Sequence, residues 1–172
     1  MMFERFFHRR SKSPEAVAGG LRSQALEVTA TALGLEPAPG LPHVFGVIME
    51  TGYDRAVATL AVFADGAVSL YFSNGGGIIG AGQNQAVRQA ADAFLKSAEA
   101  FHSQLQPAQE TPPPAVGRTR FYLRTFEGTL TAEAEERSLG EGHHALSNLF
   151  YAAHEVIGRL RQPAATNAPA RR

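Results

Sequence analysis

The feature that most constrains the fold is the dipeptide Asp65-Gly66, which separates two runs typical of β-strands. Asp-Gly is a strong hairpin signal, because a tight two-residue turn needs backbone conformations that these residues adopt readily. The flanking runs are 56–64 and 67–73, and a further strand-like run, 44–50, precedes them. Strands joined by short turns are antiparallel, so we expect a three-stranded meander.

The first run of this meander is apolar on both of its faces. Phe45, Val47 and Met49 alternate to one side, and Val44 and Ile48 to the other. A strand that is apolar on both faces is typical of the interior of a sheet covered on both sides.

Helix-type and strand-type patterns alternate along the rest of the chain. We expect helices over 14–33, 83–106 and 143–161, and two more strands over 118–126 and 129–137. The predicted fold class is α+β, with a five-stranded antiparallel sheet in the order helix, three strands, helix, two strands, helix.

Composition and length indicate a single domain. The chain has 172 residues, which is enough to bury a sizeable core without a disulfide, and it contains no cysteine. We expect one α+β domain over 13–161, with a stiff, exposed proline-rich connector at 107–117. It is flanked by a basic aromatic tail, 1–12, and a disordered basic tail, 162–172.

The element order resembles that of the class I type III secretion chaperones. The resemblance covers about residues 14–161 and rests on the order of helices and strands and on the acidic body. It implies a homodimer that holds an extended segment of a partner protein. No sequence motif supports it, and no functional residue is carried over.

Charge is unevenly distributed in a chain whose net charge is zero. Residues 13–158 hold 8 basic and 15 acidic residues, a net charge of −7. An acidic body repels phosphate backbones, so nucleic acid is an improbable partner. No apolar run approaches the ~20 residues of a membrane span, and we expect a cytoplasmic protein.

The N-terminal tail offers two interpretations. Phe3, Phe6 and Phe7 alternate with basic residues, so residues 3–10 could touch a membrane or dock on a partner. The favoured alternative is a frayed tail whose aromatic side chains rest against the body.

The least ordinary composition lies at 69–82, where Gly75 to Gly80 spells G-x-G-x-x-G. A dinucleotide site requires this motif inside a βαβ unit, and a meander does not provide one. Glycines before a helix N-terminus leave backbone amides uncovered, which favours an anionic group. The candidate ligand-binding residues are Ser73, Asn74, Gly75, Gly76, Gly77, Gly80, Gly82 and Gln83. The alternative is that the glycines serve only a sharp strand-to-helix turn.

The remaining polar clusters indicate no catalytic residue, metal or cofactor. Ser147 and His154 are two helical turns apart, too far for a nucleophile and its base. Glu133, Glu135 and Glu136 are typical of a charged edge strand that resists aggregation. On the neighbouring strand, arginines at 118, 120 and 124 are positioned to pair with these acids.

These observations favour a non-enzymatic protein-interaction module, adaptor-like or chaperone-like and homodimeric. Its contact surface would be a helix face or a sheet edge. The alternative is a small-ligand or anion-binding domain, with or without enzymatic activity, that uses the glycine-rich loop 75–82.

Overall fold

The computed structural model of the protein describes residues 12–162. The helices are α1 (Pro14–Glu27), α2 (Gln85–Phe101), α3 (Glu136–Gly140) and α4 (Ser147–Arg161). The strands are β1 (Val44–Gly52), β2 (Val57–Phe63), β3 (Val68–Phe72), β4 (Gly77–Ile79), β5 (Gln106–Pro107), β6 (Arg118–Thr125) and β7 (Gly128–Glu135). They form one antiparallel sheet in the order β4-β3-β2-β1-β6-β7-β5.

The predicted α+β class is confirmed, but the five-stranded sheet and its element order were wrong. Two strands were missed, β4 and β5, and a short helix, α3, follows β7. With three and two residues, β4 and β5 are too short to show a strand period in the sequence. Gly77 starts β4, where an added Cβ would overlap the carbonyl oxygen of Leu70. Glycine here therefore permits close strand pairing and does not simply lead into a helix.

Several local predictions are confirmed. Asp65-Gly66 lies in the turn of the predicted hairpin between β2 and β3, with Gly66 at φ 93°, although the connection spans residues 64–67 and is longer than the predicted two-residue turn. β1 lies at the centre of the sheet. Ser13 caps α1 by accepting a hydrogen bond from the Ala16 amide at 3.2 Å. The proposed contact of residues 3–10 and the predicted disorder of 163–172 lie outside the described residues.

The sheet buries one face, called the inner face, against α2 and α4. Aliphatic and aromatic side chains from both helices meet the inner side chains of β1, β2 and β6. The completely buried members include Phe94, Leu149, Val47, Phe121 and Leu123. The long apolar stripes of α2 and α4 account for this packing.

The other face, called the outer face, is covered by α1. This helix buries only two side chains, Ala18 and Ala25. A smaller apolar cluster under its C-terminal half contains Phe45, Ile48 and Tyr122. A helix with so little apolar surface needs other contacts to hold it in place.

Arg124 and the proline-rich connector supply part of that attachment. Arg124 Nη2 donates to the Val28 carbonyl at 2.7 Å, just beyond the C-terminal end of α1. The connector crosses the outer face of the sheet, and Pro114 within it is buried. The predicted exposed connector is thus in part a structural cover.

Across residues 12–162, no helix is both long and apolar enough to cross a membrane.

Candidate functional site

Five side chains of the outer face stand in one row across five neighbouring strands. From β3 to β7 they are Tyr71, Thr59, Glu50, Arg120 and Glu133. Paired residues of antiparallel strands point to the same face, so the register alone aligns them. This set is called the polar row below.

Glu50, at the centre of the polar row, is fully buried. Arg22 of α1 donates Nε to its Oε1 at 2.7 Å and Nη2 to its Oε2 at 2.8 Å. Thr59 donates its hydroxyl to Oε1 at 3.0 Å. A two-pronged arginine–carboxylate pair fixes geometry as well as charge. Because both of its oxygens are engaged, Glu50 serves here to fasten α1 to the sheet.

The proline-rich connector covers this part of the outer face, and two of its backbone carbonyls accept hydrogen bonds from side chains below it. The Thr111 carbonyl accepts from Arg22 Nη2 at 2.8 Å, and the Pro112 carbonyl accepts from the Tyr122 hydroxyl at 2.7 Å. Arg22 therefore joins α1, β1 and the connector through one guanidinium group.

At the β7 end, Glu133 lies between two arginines of β6. Arg118 and Arg120 each donate Nε to it, at 3.0 and 2.8 Å. Burial alone would raise the pKa of Glu133, but these hydrogen bonds outweigh it and the pKa is lowered. The predicted pairing of Arg118 and Arg120 with acids is confirmed, whereas Arg124 bonds carbonyls of the α1 region instead.

At the β3 end, Tyr71 differs from the rest of the row. Its side chain is buried, and among residues 12–162 its hydroxyl has no hydrogen-bond partner. It lines a cavity of about 300 Å³ between α1 and the sheet, together with Arg22 and Thr59. An unpaired buried hydroxyl costs free energy, so this position calls for an explanation.

The glycine-rich stretch forms two separate turns on either side of β4. Residues 73–76 make the β3–β4 turn, and 80–83 lead into α2. Ser73 accepts from the Val57 amide at 2.8 Å. The eight candidate residues therefore divide between the two ends of a three-residue strand, with Gly77 inside it, and do not line one loop.

The N-terminus of α2 is already capped by its own chain. The Asn84 side chain accepts from the Ala86 amide at 2.9 Å and from the Val87 amide at 3.3 Å. Gly82 packs on the Gly66 carbonyl, which a Cβ would overlap. The glycine at 82 thus has a packing reason that is independent of any ligand.

A cavity of about 520 Å³ lies beside this second turn. Its polar lining includes Gln83, Arg88, Asp65 and Asp92. Arg88 donates Nε and Nη2 to the Gly82 carbonyl at 3.2 and 3.0 Å. One arginine faces two carboxylates here, a balance that does not select for an anion.

The β4 strand carries an apolar patch on the surface, called the β4 edge patch, of Val17, Phe72, Ile78 and Ile79. Ile79 is 63% exposed and Val17 47%. The chain carries no charged residue from 67 to 87. Val17 and Ile79 line one pocket on the outer face, whereas Ile78 and Phe72 lie on the inner face. Large exposed apolar side chains on both faces of an edge are typical of a contact surface.

The histidines serve local structure. The His144 ring accepts from the Leu146 amide at 3.1 Å ahead of α4. His154 packs its ring 4.2 Å from that of Phe150, and burial lowers its pKa. Within residues 12–162, no group of three or more His, Cys, Asp or Glu side chains is arranged to hold a metal ion.

Sequence reasoning missed the polar row, although one signal pointed to it. Glu50 ends a run that is otherwise apolar on both faces, and a carboxylate in a central strand needs a buried partner. The partner, Arg22, is 28 residues away on a helix, and sequence spacing does not reveal that contact.

No protein-family model, curated protein or solved structure matches the chain.

Proposed function

We propose that this chain is a non-enzymatic protein-interaction module, adaptor-like or chaperone-like, that binds an extended apolar segment of a partner protein along β4. The observation that carries the proposal is the contrast between the two edges of the sheet.

The β4 edge is open and uncharged. Among residues 12–162, β4 pairs only with β3, so its other side can offer main-chain groups to an added strand. Ile79 pairs with Ser69 and Ile78 with Leu70, so the two isoleucines flank the edge on opposite faces. An incoming strand would thus find apolar side chains on both faces of the sheet.

The opposite edge is closed by several devices. Its last strand, β5, has two residues and includes Pro107, which has no amide to donate. The neighbouring strand in the sheet, β7, carries Glu133 and Glu135. Proline and charge both discourage strand addition, and β4, which is also short, carries neither. The chain therefore protects one edge and leaves the other available.

Self-association, which the sequence also predicts, would use the same open strand, because each copy carries one. The homodimer and the resemblance to the class I secretion chaperones stay predictions. The two occupants, a partner segment and a second copy, differ in stoichiometry, so one set of measurements separates them.

The test compares Ile79→Lys with Val116→Lys. Val116 is 62% exposed, nearly the same as Ile79, but it lies in the connector away from β4. The probes are a fluorescent hexapeptide of alternating valine and threonine and, for self-association, light scattering over a range of protein concentrations. We expect the wild type and Val116→Lys to bind the peptide or to dimerise, and Ile79→Lys to do neither. A wild type that stays monomeric and ignores the peptide contradicts the proposal, as does an Ile79→Lys variant that behaves as wild type.

A second candidate is anion or small-ligand binding at the glycine-rich stretch. It is supported by the cavity beside Gly80 and Gly82 with Arg88 in its lining, and Asp65 and Asp92 count against it. Titration with inorganic phosphate, followed by NMR at the amides of residues 75–82, tests it. Absence of shifts there removes this candidate and leaves the β4 proposal intact.

A further inference from the structure

A cavity, called the Tyr71 cavity, lies between α1 and strands β2 and β3. Three parts of the chain form its walls. α1 contributes Ala18 and Arg22, the sheet contributes Thr59 and Tyr71, and the connector contributes Pro113. Its volume of about 300 Å³ is at the lower end of the range for small-molecule sites, about 300–1,000 Å³. It therefore suits a small molecule of about ten heavy atoms or fewer, at the roughly 30 Å³ that one water occupies in the liquid.

Tyr71, which lines the cavity, carries a hydrogen-bond donor close to the Arg22–Glu50 pair. The side chain is 3% exposed, and its hydroxyl has no partner among residues 12–162. Burial raises the pKa of Tyr71 far above its ordinary value, and the charge of Glu50 raises it further, so the hydroxyl keeps its proton. Such a group is satisfied by an acceptor oxygen that enters the cavity.

The charges around the cavity favour an uncharged ligand. The positive charge of Arg22 is already compensated by the Glu50 carboxylate at 2.7 Å. Glu15, at the α1 wall, adds a further negative charge. A carboxylate or phosphate would thus meet a net negative surrounding, whereas a carbonyl oxygen would not.

Access to the hydroxyl runs through the helix that covers it. α1 buries only two alanine side chains, and it contains Gly19-Gly20, which lowers its intrinsic helix stability. A helix with few buried apolar side chains opens locally at a lower cost than one seated in a large apolar core. A ligand can thereby enter between α1 and the sheet.

We propose that the Tyr71 cavity binds a small uncharged molecule with a carbonyl oxygen, an amide, ketone or ester, which accepts a hydrogen bond from the Tyr71 hydroxyl. The site shares no residue with the β4 edge patch, so it goes beyond the proposed interaction function. Ser73, a candidate ligand residue from the sequence, lines this cavity.

The test is a titration of the full chain with three probes, N-methylpyrrolidone, cyclopentanone and isobutyrate, followed by amide NMR shifts. We expect the two carbonyl probes to shift the amides of Thr59, Tyr71 and Ala18 at millimolar concentration, and isobutyrate to bind more weakly. Tyr71→Phe removes only the unpaired hydroxyl, and it should weaken carbonyl binding about tenfold, the typical effect of one hydrogen bond.

A second pair of variants tests the location. Ala18→Leu extends a side chain into the cavity and should abolish binding, whereas Ala16→Leu, on the exposed side of the same helix, should not. Unchanged affinity in Tyr71→Phe, equal binding of isobutyrate, or no shift with any probe overturns the proposal. Because Tyr71→Phe removes no hydrogen bond from the described structure, its result decides even if Ala18→Leu fails to fold.

Discussion

The sheet buries both of its faces, but the inner face is packed with aliphatic and aromatic side chains, whereas the outer face combines a smaller apolar cluster with hydrogen bonds and ion pairs. Under α2 and α4 the core is apolar, with Phe94 and Leu149 completely buried. Under α1 the central contact is the Glu50–Arg22 pair.

The difference shows how a helix with little apolar surface is retained. Apolar packing contributes stability in proportion to buried area, and α1 buries little. A buried ion pair adds less net stability, but removing one of its two members strongly lowers the free energy of unfolding. We therefore expect the packing of the inner face to contribute most of the stability. The polar contacts of the outer face mainly fix the position of α1.

The largest effect is expected when the buried pair loses one member. Arg22→Ala leaves the Glu50 carboxylate buried without a counter-charge, and we expect a loss of about 3–5 kcal/mol in the free energy of unfolding. The double variant Arg22→Met, Glu50→Leu removes both charges and should recover most of this loss. Urea denaturation of the two variants measures it, and a double variant as unstable as the single one would contradict the assignment.

A comparable substitution on the inner face should behave differently. Leu149→Ala creates a cavity in the apolar core, and we expect a loss of about 3 kcal/mol. Hydrogen exchange distinguishes the two faces. Arg22→Ala should accelerate exchange selectively at amides of α1, whereas Leu149→Ala should accelerate it throughout the sheet. Uniform acceleration in both variants would show that the faces are not separate.

The pH dependence of stability tests the burial of His154 on α4, a helix of the inner face. Burial lowers the pKa of His154 below its ordinary value of 6.5, so the unfolded chain takes up this proton before the folded one does. The free energy of unfolding should therefore fall as the pH drops below 6.5, until the folded ring is protonated as well. In His154→Leu this slope should become smaller between pH 7 and 6, as measured by urea denaturation, whereas the fall closer to pH 5, to which Glu133 contributes, should remain. A variant that keeps the full slope would assign it to another group.

The smallest effect is expected in α1 itself. Gly20 lies inside the helix on an open side, where an added Cβ meets nothing within 4 Å. Gly20→Ala should stabilise the protein by about 0.5–1 kcal/mol, because alanine has the higher helix propensity. The thermal midpoint should rise by a few degrees, and a fall would show that Gly20 is required for close packing.

The parts of the fold that sequence predicted are those with strong local patterns. The apolar run at 44–50 located the central strand, and Asp65-Gly66 located a hairpin. β4 and β5 were not predicted, because they have only three and two residues and contain glycine or proline, which are uncommon in strands.

The polar row escaped for another reason. Its members are aligned by strand register, and Arg22 reaches Glu50 from a helix that is 28 residues away. Only Glu50, charged at the end of an apolar run, signals it locally. The β4 edge patch is similar, since its exposure depends on which strand ends the sheet.

The contacts of α1 also determine when it can join the fold. Arg22 bonds the carbonyl of Thr111, 89 residues further along the chain, and Arg124 reaches the Val28 carbonyl across 96 residues. These partners come together only after β6 and the connector have reached the sheet. We therefore expect α1 to be secured late in folding, because closing such long loops precedes any gain from its contacts.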